Sequence, residues 1–349
     1  MRDCAWSCRP YHAGDERHLA PLFEQVFDRA MSPRQWQWKH ADRPGPAPNV
    51  WLAVDGRGRP ISHYGGIPRR LRLGGQERIV MVVADAMTAP EFRRRGAFTA
   101  VVTHAHAAWR EAGVAFVLGM PNEQHGSLID SVGWRRICSL RWMIRPLRPE
   151  RLLQRRVRLG RLPGGGRAAH LWNRYWDGGE APPGVATAIA SRSDIRAAFA
   201  RPAPGGSGRL ALERDADWMI HRLLDAPNAG HEVLLAREDQ NVRGYCAFRV
   251  RAVGDRRVGA ITEIGAGDGQ VRSWLVREAT RRLRADGAET AIALTVPPGP
   301  EHRALRARGF LFSWGEFGVY AVILDPRIAF GEISGPGRWM LSGGDFDAI

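Results

Sequence analysis

Three arginines and a glycine, Arg93-Arg94-Arg95-Gly96, form the segment of this chain best suited to hold an anion. An apolar run, Ile79 to Met87, precedes them and reads as a buried strand. A helical pattern follows from about Phe98 to Glu111 and stops at Gly113. A strand that turns and opens a helix places the unpaired N–H groups and the positive dipole end of that helix at the turn. Gly96 lets the backbone approach a ligand closely. The arginines add charge and donors, so the arrangement suits a pyrophosphate. The same residues would serve equally as an exposed basic turn. Asp85 is the only acid within the apolar run, and an acid there needs a partner or a task. It reads either as a proton acceptor in catalysis or as a structural carboxylate satisfied by backbone or arginine. Strand alternation leaves its face open, because a one-residue shift moves it to the other side.

The elements that must position these residues come next. Residues 9–30 begin as a short strand and continue as a helix, with Leu19, Leu22, Phe23, Val26 and Phe27 at helical spacing. Pro33, Trp36 and Trp38 lead into the loop Arg43 to Pro48. Val50 to Val54 reads as a strand ended by Asp55-Gly56, and Ile61 to Ile67 and Arg69 to Leu73 as shorter ones before the Gly74-Gly75 turn. Beyond the Arg turn and its helix, Val114 to Met120 is a second buried strand, broken by Pro121-Asn122. Gly133-Trp134 leads to a closing strand near Ile137 to Ile144.

The second half repeats this outline. Helices end at Gly113 and Gly287, strands at Pro121 and Pro297, and a glycine–aromatic pair follows at 133–134 and 309–310. Such a long period predicts a duplicated α/β domain rather than a solenoid. Ile264-Gly265-Ala266-Gly267-Asp268-Gly269 stands where the second Arg turn would be, without an arginine. That predicts a second copy that holds no coenzyme.

Bulk composition limits the alternatives. The chain has 349 residues and a net charge of +15, with 51 basic and 36 acidic residues. Lys39 is its only lysine. The excess of base favours anionic partners, although charge alone discriminates poorly between phosphate ligands and nucleic acid. Cys4 and Cys8 lie close together, but Cys138 and Cys246 supply no second pair at metal-ligand spacing, so no zinc site or disulfide framework is expected. No apolar run reaches the ~20 residues of a membrane helix, and no signal sequence opens the chain, so a cytoplasmic location is expected.

Arg93 to Phe98 resembles the coenzyme-binding motif of the GNAT superfamily of acyltransferases, Arg/Gln-x-x-Gly-x-Gly/Ala, with Phe98 at the last position. Asp85-Ala86-Met87-Thr88-Ala89-Pro90 resembles a branch of that family whose strand reads Asp-Thr-Met-Thr-His-Pro. Met120-Pro121-Asn122 and Gly133-Trp134 resemble the next strand, its Asn and the closing glycine–aromatic pair. The likeness is close over residues 9–145 and holds in element order alone over 185–325.

The resemblance implies an α/β fold of two GNAT-like domains, each a central mixed sheet flanked by helices. A catalytic domain would span 1–147, an Arg-rich connector 148–184, a degenerate copy 185–326 and a tail 327–349. It implies acetyl-CoA as acyl donor, no metal, and direct attack by an amine in a split between two parallel strands. Met87, Thr88, Arg93, Arg94, Arg95, Gly96, Ala97, Phe98, Thr99 and Asn122 would bind the coenzyme, and Asp85 would take the proton. Many relatives carry a tyrosine acid four residues before the closing glycine. Ile129 stands there, which leaves His125, Ser127 or a water to protonate the thiolate. The acceptor would be a small-molecule amine, an amino sugar or a peptide. The tail Trp339 to Asp347 resembles the ending of tandem GNAT proteins found near bacterial polysaccharide genes, which points toward amino sugars. Two alternatives remain: a longer acyl donor, carried by CoA or by an acyl carrier protein that docks on the Arg-dense 148–161, and a non-catalytic module that senses coenzyme or binds nucleic acid.

Overall fold

The computed structural model of the protein describes residues 6–43, 45–121, 132–152, 165–200, 208–227 and 230–346. The chain forms two compact units: Met1–Cys138 with Gly318–Gly335, and Ser139–Phe317 with Pro336–Ile349. Elements are numbered along the chain.

Unit 1 opens with β1 (Trp6–Pro10), α1 (Glu16–Phe27) and α2 (Pro33–His40). The aromatic-rich stretch after residue 31 folds as α2 because Ser32 caps it, accepting from Gln35 N at 3.1 Å, and Pro33 fits the first helical position. Then come β2 (Val50–Asp55), β3 (Pro60–Leu73), β4 (Gln76–Thr88), α3 (Ala97–Glu111) and β5 (Phe116–Gly119). The strands pair in the order β1-β2-β3-β4-β5, antiparallel except for the parallel β4–β5 pair. Leu19, Phe23 and Trp36 from α1 and α2 cover one face of this sheet. Val101, Ala105 and Trp109 from α3 cover the other.

Unit 2 holds most of β6 (Arg135–Pro146), then α4 (Gly165–Trp176), β7 (Val185–Ile189), α5 (Arg192–Ala198) and β8 (Leu210–Ala211). Next come β9 (Glu232–Glu238), β10 (Asn241–Val253), β11 (Arg256–Ala266), α6 (Gly269–Ala285), β12 (Thr290–Thr295) and α7 (Pro300–Ala307). The pairings β7-β9-β10-β11 are antiparallel, β11–β12 is parallel, and β12–β6 is antiparallel. Leu275, Ala279 and Leu283 of α6 pack on Leu234, Phe248 and Ile261.

The sequence reading closes each half with its own last strand, but the closing strands are exchanged. In unit 1, β5 pairs with the end of β13 (Leu311–Ile323), Phe116 opposite Ile323 and Gly119 opposite Tyr320. In unit 2, β12 pairs with β6, Thr290 opposite Pro146 and Thr295 opposite Arg141. Among the described residues no helix is long and apolar enough to cross a membrane.

Candidate coenzyme site

The central feature of unit 1 is where β4 and β5 part. Their parallel register runs from Val80 opposite Phe116 to Val82 opposite Leu118, and β4 then continues alone to Thr88. Beyond Val82, no strand among the described residues pairs with the β5-facing edge of β4, which leaves that edge to a ligand that would extend the sheet. The same stretch is bulged. Ala84 stands opposite Gly65 and Met87 opposite His63, so β4 carries one more residue than β3 across this interval. Asp85 sits in the bulge with φ +53°, and a bulge re-aims the side chains beside it. Val83 and Ala86 pack toward α3, whereas Met87 and the Asp85 carboxylate face α2.

Asp85 is fixed from three directions. Lys39 Nζ donates to its Oδ1 at 2.7 Å and His40 Nε2 to its Oδ2 at 2.9 Å. His63 Nδ1–H donates to its backbone carbonyl at 2.7 Å. The side chains of Lys39, His40 and Asp85 are 2%, 0% and 7% exposed. Burial raises the Asp85 pKa, but the Lys39 charge and the His40 hydrogen bond outweigh it and hold the carboxyl well below its ordinary range. A carboxylate held in this way is a poor proton acceptor; it supplies charge and fixes the backbone. His63 is pushed down to about 3, chiefly by burial and then by His40, so its ring is neutral.

Two glycines permit this packing. A Cβ on Gly65 would lie 2.8 Å from His40 Cε1, and one on Gly66 would lie 2.8 Å from Trp109 Cη2. On the α3 face the Tyr64 hydroxyl meets His106 Nε2 at 2.9 Å, and Trp109 stacks on Tyr64 with centroids 5.5 Å apart. His106 is lowered to about 4 by burial and then by Arg110, so its ring is neutral. Trp36, His63 and Tyr64 are buried in the core.

The Arg turn follows β4 directly. Pro90–Phe92 makes one 3-10 turn, Arg93 Nε donates to Thr88 O at 3.3 Å, and Arg94 takes φ +60°. Gly96, at φ +81°, is the N-cap of α3 and offers no side chain to its first turn. The first bond within the helix runs from Ala100 N to Gly96 O at 3.0 Å. Among the described residues, nothing lies within 4 Å of where a Cβ on Gly96 would stand. Arg93, Arg94, Arg95 and Thr99 are exposed, Ala97 is buried, and Phe98 packs edge-on to Tyr64 at 6.0 Å. The helix start is thus open and ringed by arginine, the arrangement an anion needs. Met87 is buried, and Thr88, half-buried, has its Oγ1 2.9 Å from Ser62 Oγ. Asn122, His125, Ser127 and Ile129 lie outside the described residues.

Sequence reasoning missed Lys39 and His40. The available signal was that a chain otherwise using arginine keeps one lysine. Among the described residues no cluster of His, Cys, Asp and Glu could hold a metal ion.

Residues 7–137 match the family model described as "Acetyltransferase (GNAT) domain". No curated protein matches the chain. Among solved structures, a GCN5-related N-acetyltransferase from Anabaena variabilis is similar at 11% identity and a TM-score of 0.65, over 92% of this chain and 73% of that one. A protein from Enterococcus faecalis described as a probable N-acyltransferase is similar at 11% identity and a TM-score of 0.64, over 92% and 73%. A GCN5-related N-acetyltransferase from Kribbella flavida is similar at 13% identity and a TM-score of 0.62, over 92% and 72%. At these identities the structural likeness speaks for the fold, and residues 7–137 are what is similar to the GNAT acetyltransferase domain.

Proposed function

We propose that the protein transfers an acetyl group from acetyl-CoA to a primary amine of a small molecule, an amino sugar or a peptide. The observation that carries this reading is the open edge of β4 beyond Val82, which leads straight to the uncapped start of α3 at Gly96. The pyrophosphate sits at that helix start, held by Arg93 to Arg95 and the backbone of Gly96 to Thr99. The pantetheine arm extends the sheet along Met87 and Thr88, which brings the thioester to the bulge at Asp85.

The amine nitrogen attacks the thioester carbon. The N–C bond forms as the C–S bond breaks, the amine gives up a proton, and the departing thiolate takes one up. The negative charge that develops on the carbonyl oxygen needs a preorganised donor, which backbone N–H groups supply in a rigid site. Lys39, His40 and His63 keep the bulge rigid by holding Asp85. Because the Asp85 oxygens are engaged by Lys39 and His40, the amine proton leaves through water rather than to this carboxylate. Asn122 keeps the coenzyme contact that the resemblance implies, and His125, Ser127 or a water protonates the thiolate.

The test is acetyl transfer itself. Acetyl-CoA with a panel of amino sugars, polyamines and short peptides should release free thiol faster than with enzyme alone, with one acetyl group found on the amine per thiol released. Thiol release that stays at the amine-free rate across the whole panel would count against the reading.

A further inference from the structure

In unit 2, the register of β11 with β12 runs from Val258 opposite Thr290 to Ile261 opposite Ala293, and β11 continues to Ala266. Here too the continuing strand is bulged at the split. Ala247 stands opposite Glu263 and Phe248 opposite Ile261, which leaves Thr262 as the extra residue. Both units therefore place a bulge and a buried acid just past the point where their parallel strands part.

What lies against the bulge of unit 2 is the chain's own tail. Gly344 N donates to Thr262 O at 3.1 Å, and Ser342 bridges to Thr295 at the end of β12. Ser342 Oγ lies 2.5 Å from Glu263 Oε1. Arg214, itself buried, bonds Asp345 Oδ2 at 2.6 Å and Glu263 at 3.3 Å. A Cβ on Gly344 would stand 2.2 Å from Glu263 Oε1, so a side chain there would have to displace the Glu263 carboxylate. Trp339, Leu341 and Phe346 are buried, and β14 (Trp339–Met340) pairs with β8.

The helix start differs as well. Asp268 caps α6, accepting from Gln270 N at 2.6 Å and Val271 N at 3.0 Å. Where α3 has an open glycine, α6 has a carboxylate already bound to its first-turn donors, and that charge repels a phosphate.

We propose that the split of unit 2 is a peptide site whose ligand is the C-terminal segment Trp339–Phe346, recognised by its glycine at the bulge and its aspartate on Arg214. The tail takes the place that unit 1 keeps for an acyl thioester, so the chain holds a single coenzyme. The tail docking stands on its own contacts; the comparison with a thioester rests on the proposed function.

Two measurements separate these parts. Hydrogen exchange on the full chain should show the amides of residues 342–346 exchanging as slowly as those of β11. Asp345→Asn should speed them at least tenfold, and Gly96→Glu should leave them unchanged. Exchange of the wild-type tail at the rate of a free peptide overturns the proposal, as does an Asp345→Asn tail that remains fully protected. Should Asp345→Asn fail to fold, Ser342→Ala carries the same comparison. Calorimetry with acetyl-CoA should give one site per chain. Two sites per chain, or one site surviving in Gly96→Glu, overturn the exclusion of coenzyme from unit 2. No site in the wild type would refute the coenzyme reading of unit 1 while the exchange data still decide the tail.

Discussion

Lys39 Nζ lies 2.7 Å from Asp85 Oδ1, so the only lysine of the chain makes a buried ion pair with the acid of the bulge. The compact ammonium bonds Oδ1 of Asp85, and His40 bonds Oδ2. The pair joins α2 to the bulge of β4 and so ties a helix on one side of the sheet to the mouth of the split.

Breaking the pair should cost more than the pair contributes. Asp85→Asn leaves the Lys39 ammonium buried without its counter-charge, and such a change costs about 3–5 kcal/mol. Urea denaturation should show a loss of that size. Lys39→Met combined with Asp85→Leu should recover much of it, because an apolar pair of similar volume leaves no charge unmatched. A double variant as unstable as the sum of both single ones would mean the two residues act independently.

Buried neutral histidines make the fold acid-sensitive. The folded pKa of His63 is about 3 and that of His106 about 4, both below the usual 6.5. Below pH 6.5 the unfolded chain takes up protons that the folded chain refuses, so stability falls as pH falls. Each ring contributes a slope of about 1.4 kcal/mol per pH unit until its folded pKa is reached. Asp85 adds its own loss only at lower pH, below the ordinary carboxylate range, since its folded pKa is depressed. Thermal unfolding between pH 7 and 5 should therefore show a steep decline, and His106→Gln should make it shallower. An unchanged slope in His106→Gln would show that His106 ionises freely in the folded state.

Gly65 tests the geometry around Asp85 without altering a charge. Its added methyl group in Gly65→Ala would meet His40 Cε1 at 2.8 Å and His63 Cε1 at 2.9 Å. Overpacking of this kind costs about 1–3 kcal/mol. Proposed catalysis should fall by more than coenzyme affinity does, since the displaced rings hold the bulge and not the helix start. A variant with full stability and full transfer rate would show that the bulge tolerates movement of His40.

The parts of this site that the sequence made legible are local. Ile79 to Gly96 reads as strand, turn and helix because each signal, an apolar run, three arginines and a helix-opening glycine, lies within a few residues of the next. Asp85 stood out for the same reason, as an acid in an apolar run. Its role did not, because the bulge that turns it toward α2 leaves no mark in the residue pattern. Its partners Lys39 and His40 lie more than forty residues away, on a helix whose Trp36 and Trp38 spacing resembles a strand. The exchange of closing strands was hidden as well. β6 and β13 both carry the pattern of a closing antiparallel strand, and nothing in that pattern names β12 or β5 as the partner.

The central claim is that the open start of α3 holds the pyrophosphate of acetyl-CoA, and calorimetric titration of the wild type beside Gly96→Glu tests it most directly. The substitution puts a carboxylate at the helix start and a side chain at φ +81°, where left-handed backbone costs about 1–2 kcal/mol. The account predicts saturable binding to the wild type and at least a hundredfold weaker binding to a Gly96→Glu variant that remains folded by circular dichroism. Equal affinity in the two proteins would contradict it.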